Sequence, residues 1–189
     1  MDHKYDILQL LEQVKNGEIT PEDALLDLKI APFEDLGYAK VDYHRSVRQG
    51  SSEVIFGQGK TAQQIQGIVK SMHAKGSQNI LITRISNDKI DYLEKEIDLD
   101  YRRNAHLAIA YPKETTSLGN IVVATGGTSD MNVAEEAAVT AEVLGNHVTR
   151  LYDVGVAGIH RLLSNLEPLM SARVVIAVAG MEGALASVV

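Results

Sequence analysis

The feature that most constrains this chain is a repeated order along its last third: a short β-rich apolar run, a glycine-bearing loop, then a stretch of helical spacing. Ile121–Ala124, Val148–Tyr152 and Val174–Val178 read as strands, with Leu107–Ala110 a further strand upstream. Val133–Leu144, Ala157–Leu166 and a last segment beginning near Glu182 read as helices. A helix between two strands carries the chain back across the sheet, so the next strand lies parallel to the first. The pattern therefore predicts an α/β fold with a mostly parallel sheet and helices on both faces.

Upstream, Ile7, Leu8, Leu11 and Val14 recur at helical spacing before the stop Asn16-Gly17. Thr20-Pro21-Glu22-Asp23 then offers a capping hydroxyl, a first-turn proline and two acids for the start of a second helix running to about Lys29. From Ala39 to Arg84 the order reads strand, turn, strand, helix, strand, with Glu53–Phe56 extended, Thr61–His73 helical and Ile80–Ile82 a strand; Asn87–Arg103 reads as a polar region. Three regions result: a helical segment over 1–30, a small α/β domain over 31–117 and a core over 118–189.

Composition narrows the function classes. A net charge of -7 argues against nucleic acid as partner, since phosphate backbones are bound by clustered Lys and Arg. The longest apolar stretch, Val174–Ala179, is far short of the roughly 20 residues of a membrane helix. No export signal is legible at the N-terminus, so a cytoplasmic protein is expected. With no cysteine, the sequence holds no disulfide, thiolate metal site or cysteine nucleophile. No spacing of His, Asp and Glu encodes a tight metal site.

Ligands of open α/β sheets bind beyond the carboxyl ends of the strands, which makes three loops candidates. Gly126-Gly127-Thr128-Ser129-Asp130 combines close backbone approach with hydroxyl donors, or is a glycine turn with an ordinary helix cap. Gly155-Val156-Ala157-Gly158-Ile159-His160-Arg161 follows Asp153 and brings an imidazole and a guanidinium to a helix start, although a lone histidine is more often a surface residue. Gly180-Met181-Glu182-Gly183 places a carboxylate between glycines, as a base or as a helix-start acid. Gly59-Lys60-Thr61 mimics the end of an ATP-binding P-loop, but Val54 stands where that motif needs glycine, so ATP binding through it is rejected.

Long runs extend these matches into a family resemblance. Asp35–Asp42, Arg48-Gln49-Gly50, Glu53–Thr61, Gly127–Asp130, Ala134–Ala137, Arg150–Arg161 and Ala179–Leu185 together make the chain resemble the LarB family from about Glu34 onward, with a core like that of PurE-type carboxylases. The resemblance implies a three-layer, flavodoxin-like core preceded by a smaller α+β region. It also implies a carboxylase and hydrolase of nickel-pincer cofactor synthesis. Nicotinic acid adenine dinucleotide and carbon dioxide or bicarbonate would yield pyridinium-3,5-biscarboxylic acid mononucleotide and AMP.

On that reading Glu182 or His160 is the base. Gly127, Thr128, Ser129, Gly155, Arg161, Gly180 and Met181 bind substrate, with Asp130 and Asp153 on ribose or magnesium. Arg48 and Lys60 are candidates for an anion site, or are structural. No cofactor is tightly bound; magnesium accompanies the substrate phosphates, and a homo-octamer is implied. The family's nucleophile is understood to be a cysteine beyond the third glycine loop, so the core is expected to be missing its C-terminal part. Two alternatives stand beside it: a PurE-type enzyme acting on aminoimidazole ribonucleotide, which residues 34 to 84 speak against, and a nucleotide-binding or assembly module without catalysis.

Overall fold

In the computed structural model, residues 3–30, 33–43, 53–181 and 183–189 are described. They divide into two compact units: residues 1–100 with 108–112, and residues 101–107 with 113–189.

The first unit opens with helices α1 (His3–Lys15) and α2 (Pro21–Ile30), the two expected from apolar spacing and the Thr20-Pro21 start. The Thr20 hydroxyl accepts from the Asp23 amide at 3.1 Å, the cap that residue type forecasts. An antiparallel hairpin follows, β1 (Phe33–Asp35) and β2 (Lys40–Asp42). Its turn is closed by Gly37, at φ 81°, donating its N–H to Asp35 Oδ1.

Strand β3 (Ile55–Phe56), helix α3 (Ala62–Ala74), strand β4 (Ile80–Thr83), helix α4 (Asn87–Leu93) and strands β5 (Leu99–Arg102) and β6 (Leu107–Ala110) complete the order, with the β5–β6 turn, residues 101–107, counted in the second unit. The sheet order is β3-β4-β6-β5, with β3 parallel and β6 antiparallel to β4. Two expectations are corrected here. The strand at Leu107–Ala110 belongs to this mixed sheet and not to a parallel series. The polar stretch from Asn87 to Arg103 also holds a helix and a strand: Ile90, Leu93 and Ile97 are buried, a spacing too sparse among charged residues to stand out.

Helix α3 starts with a reciprocal box, Thr61 Oγ1 accepting from the Gln64 amide and Gln64 Oε1 from the Thr61 amide. Its inner face, Ile65, Ile68, Val69 and Met72, is buried. The hydroxyls of Tyr43 and Ser71 both donate to Glu34 Oε2, at 2.7 and 2.8 Å, which ties hairpin to helix. Burial, reinforced by that carboxylate, pushes the Tyr43 phenol up to about 12.

The second unit contains the parallel sheet, order β8-β7-β9, built from β7 (Leu118–Thr125), β8 (Asn146–Leu151) and β9 (Val174–Val178). Central β7 reads Ile-Val-Val-Ala-Thr, the unbroken apolar run of a strand covered on both faces. Ile121 and Val123 face Ala134 and Ala138 of α5 (Met131–Val143). Val122 and Ala124 face the other way, into a cluster with Leu162, Leu169 and Leu185. Leu162 lies on α6 (Ile159–Leu163) and Leu169 on α7 (Leu166–Ser171), so helices cover both faces of this sheet.

The expected single helix over Ala157–Leu166 is instead a 3-10 turn at 156–158 followed by α6 and α7. Asn165, which donates its side-chain amide to Arg161 O, takes the chain out of helical geometry between them. The last segment is likewise a 3-10 turn, Ala184–Ser187, with Leu185 buried.

Candidate functional site

Order β8-β7-β9 places the first strand in the middle: the chain leaves β7 to one side through α5 and returns to its other side through α6 and α7. The first connection leaves the carboxyl end of β7 and the second the carboxyl end of β8, and ligands of such sheets bind beyond the carboxyl ends of the strands. All three glycine loops read from the sequence end there.

The strand ends are joined by backbone bonds. The Gly126 N–H donates to Val178 O and the Val154 N–H to Thr125 O, each at 2.9 Å. Thr125, fully buried, also accepts the Asp153 N–H on its hydroxyl at 2.8 Å. Asp153 has φ 58°, an uncommon conformation that Asp tolerates better than most residues, and this bond holds it there. Gly155 packs directly on the first loop: a Cβ would lie 2.2 Å from Gly126 O, so only glycine fits.

Asp130 bridges two of the loops. Its Oδ2 accepts the Gly127 N–H at 3.0 Å and its Oδ1 the Gly180 N–H at 3.1 Å. Arg161 folds over Gly158 and pairs through Nη1 with Asp153, a position that requires glycine at 158 because a Cβ there would meet Arg161 Nε at 2.7 Å. Thr128 and Ser129 are exposed on the 3-10 turn of the first loop. His160 is exposed on α6, and Met181 is 97% exposed.

Behind the loops, Arg150 bridges Glu135 and Glu142, and the Tyr152 hydroxyl donates to Glu135 at 2.7 Å. Burial and then the Glu135 carboxylate hold the Tyr152 phenol well above its ordinary range. The side chains of Glu142 and Glu135 hold the Arg150 guanidinium firmly protonated against the cost of burial. This network fixes α5, which leads out of the Asp130 loop, against β8.

The structure thus brings together Gly127, Asp130, Asp153, Gly155, Arg161 and Gly180 from the sequence reading. Lys60 belongs to the first unit and donates to Phe56 O at 2.9 Å. Glu182 and Arg48 lie outside the described residues. Thr125 and the Arg150 network escaped the sequence reading. A threonine ending an apolar strand at a glycine loop was the available signal for Thr125; the network pairs residues 8 to 17 positions apart, which spacing does not reveal.

A resident magnesium does not fit these donors. Both Asp130 oxygens accept backbone amides, and Asp153 holds a guanidinium, which opposes a second cation. Among the described residues no three of His, Cys, Asp or Glu converge as a metal site. What the edge offers an anion is the Arg161 guanidinium and the exposed hydroxyls of Thr128 and Ser129, while the Gly127 and Gly180 amides are taken by Asp130.

Residues 33–112 match a family described as the LarB/PurE-like N-terminal domain. A protein of Methanocaldococcus jannaschii, named only as uncharacterized, is 34% identical over 197 aligned residues, covering 97% of this chain and 76% of its own length. No described helix is long and apolar enough to cross a membrane.

Proposed function

The chain belongs to the LarB/PurE-like family, and on that premise we propose that it serves a carboxylase that adds a second carboxylate to the pyridinium ring of nicotinic acid adenine dinucleotide and cleaves the dinucleotide to AMP. The observation that carries this reading is the convergence of three glycine loops on one sheet edge, with Asp130 spanning the amides of Gly127 and Gly180 and Arg161 folded in beside Asp153.

A pyridinium ring is electron-poor and does not attack carbon dioxide. A nucleophile must first add to the ring to create an enamine-like carbon. That carbon forms the new C–C bond, a base then takes the ring proton from the same carbon, and departure of the nucleophile restores aromaticity. The base in this reading is His160 or Glu182. Water then opens the phosphoanhydride, one P–O bond forming as another breaks and AMP leaves.

Arg161 would hold the mononucleotide phosphate, with Thr128 and Ser129 adding hydroxyl bonds, and the Gly127 and Gly180 amides would join only by releasing Asp130. Asp130 and Asp153 act here through what they position, and would reach ribose only by exchanging their present partners. Magnesium enters as a counter-ion of the substrate phosphates. The family's octamer is part of the same proposal.

The 189 residues contain no cysteine, and this favours a second reading in which they bind the nucleotide without turning it over. Incubation with nicotinic acid adenine dinucleotide, 13C-bicarbonate and magnesium, followed by mass analysis, separates the two. Labelled biscarboxylate mononucleotide with AMP establishes turnover. Saturable binding with no new product establishes the binding module, and neither result would sink both readings.

A further inference from the structure

The carboxyl edge of the parallel sheet holds an arginine and two backbone amides in contact with carboxylates of its own chain. The Gly127 and Gly180 amides donate to Asp130, one to each oxygen, and the Arg161 guanidinium pairs with Asp153. A guanidinium and converging amides are groups with which proteins bind phosphate and carboxylate ligands. Here side chains of the protein stand in the place of such a ligand.

Each contact has a fitted seat. Arg161 lies over Gly158, where a Cβ would come to 2.7, 3.0 and 3.2 Å from its Nε, Nη2 and Cζ atoms. Asp153 is fixed opposite it at φ 58° by the bond from its N–H to the buried Thr125 hydroxyl. At the other contact a Cβ on Gly180 would lie 3.1 Å from Asp130 Oδ1 and one on Gly126 3.5 Å from Oδ2, so glycines line the seat of that carboxylate. An arginine or aspartate merely solvated on a loop needs no such fitting.

Neither seat is deep. The Arg161 and Asp153 side chains keep 38% and 47% of their surface exposed, and the bond from Gly180 to Asp130 lies at the surface. A pair so open to water is weak, because solvent competes for both partners. Well-defined geometry with shallow energy suits a contact that an incoming anion replaces.

We propose that Asp130 and Asp153 are internal occupants of this anion site and restrain it. A ligand anion enters by exchange, taking Arg161 from Asp153 and the two amides from Asp130. The carboxylates lower its affinity twice over, by holding the donors and by repelling a like charge brought beside them. Removing either charge therefore tightens anion binding, the opposite of what a ligand-contacting or loop-stapling aspartate would give. The restraint rests on the reading of this edge as a nucleotide site, and not on the reaction assigned to it.

The test is titration of the full 189-residue chain with inorganic pyrophosphate, followed at the backbone amides of Gly127, Gly158 and Arg161. Asp153→Asn removes the charge but suits the φ 58° backbone and keeps the N–H bond to Thr125. It should bind pyrophosphate about fivefold more tightly than wild type, and the gain should vanish in an Arg161→Ala background. Asp130→Asn, which retains one amide acceptor, should tighten binding about threefold and carries the same test at the other contact. The proposal is overturned if either variant, folded by its amide spectrum, binds pyrophosphate no more tightly than wild type. It is equally overturned if the Asp153→Asn gain persists undiminished with Arg161→Ala, which would make it an effect of net charge alone. Turnover of nicotinic acid adenine dinucleotide is read separately. Tighter binding by Asp153→Asn without turnover by wild type keeps the restraint and removes the reaction, whereas turnover with unchanged Asp153→Asn affinity does the reverse.

Discussion

Asp130 shows how one residue sets the spacing of a candidate site. Its two oxygens satisfy the amides of Gly127, three residues away, and Gly180, fifty residues away, so the carboxylate fixes two loops relative to one another. Asp130→Ala frees both amides and is expected to cost about 1.5–3 kcal/mol per charged hydrogen bond at most, less here because the bridge is partly solvated. Faster amide exchange at Gly127 and Gly180 in chemical denaturation-matched conditions would check it, and unchanged exchange would contradict the bridge. Gly155→Ala should be destabilising for a different reason, by about 1–3 kcal/mol of overpacking, since the new methyl would collide with Gly126 O. Thermal denaturation reads that loss.

At this scale the sequence was legible in identity more than in role. Asp130, Asp153 and Arg161 were singled out as ligand contacts, and the structure places them at the expected edge while engaging them with one another's loops. A carboxylate that bridges backbone amides looks, in one dimension, the same as one that waits for ribose. The buried Thr125 hydroxyl is legible only as a polar residue ending an apolar run at a glycine loop, which does not name the Asp153 amide as its partner.

Among the elements, strands and the longer helices followed directly from periodicity. Val174–Val178 and the helix read over Thr61–His73 fall where spacing puts them, the helix running Ala62–Ala74 with Thr61 as its cap. The capping box predicts that Thr61→Ala destabilises the first unit by about 1 kcal/mol, while Thr61→Ser, which keeps the oxygen, costs little. Equal urea midpoints for wild type and Thr61→Ala would show the cap to be idle. The elements read less well were those whose periodicity is interrupted, as at Asn165 between α6 and α7, or diluted by charge, as in α4. Strand direction was also hidden for β6, because an apolar Leu-Ala-Ile-Ala run serves a parallel or an antiparallel neighbour equally.

For the whole molecule, two phenols raised by burial make a prediction about alkaline pH. Tyr43 ionises near 10 when unfolded and at about 12 when folded, so its contribution is complete below pH 10 and is lost between pH 10 and about 12. Tyr152 is shifted in the same direction and extends the loss. Stability followed by denaturant midpoint should therefore fall above pH 10, and a Tyr43→Phe, Tyr152→Phe variant should show a shallower fall; equal slopes would contradict the assignment.

The central claim is that an anionic nucleotide binds at the carboxyl edge shared by β7 and β9. Amide chemical shifts of the full chain during titration with nicotinic acid mononucleotide test it most directly. Saturable shifts at Gly126, Gly127 and Gly180, weakened about tenfold by Arg161→Ala, are the predicted result. Saturable binding that leaves those three glycines unmoved, or that survives Arg161→Ala at full affinity, would contradict it.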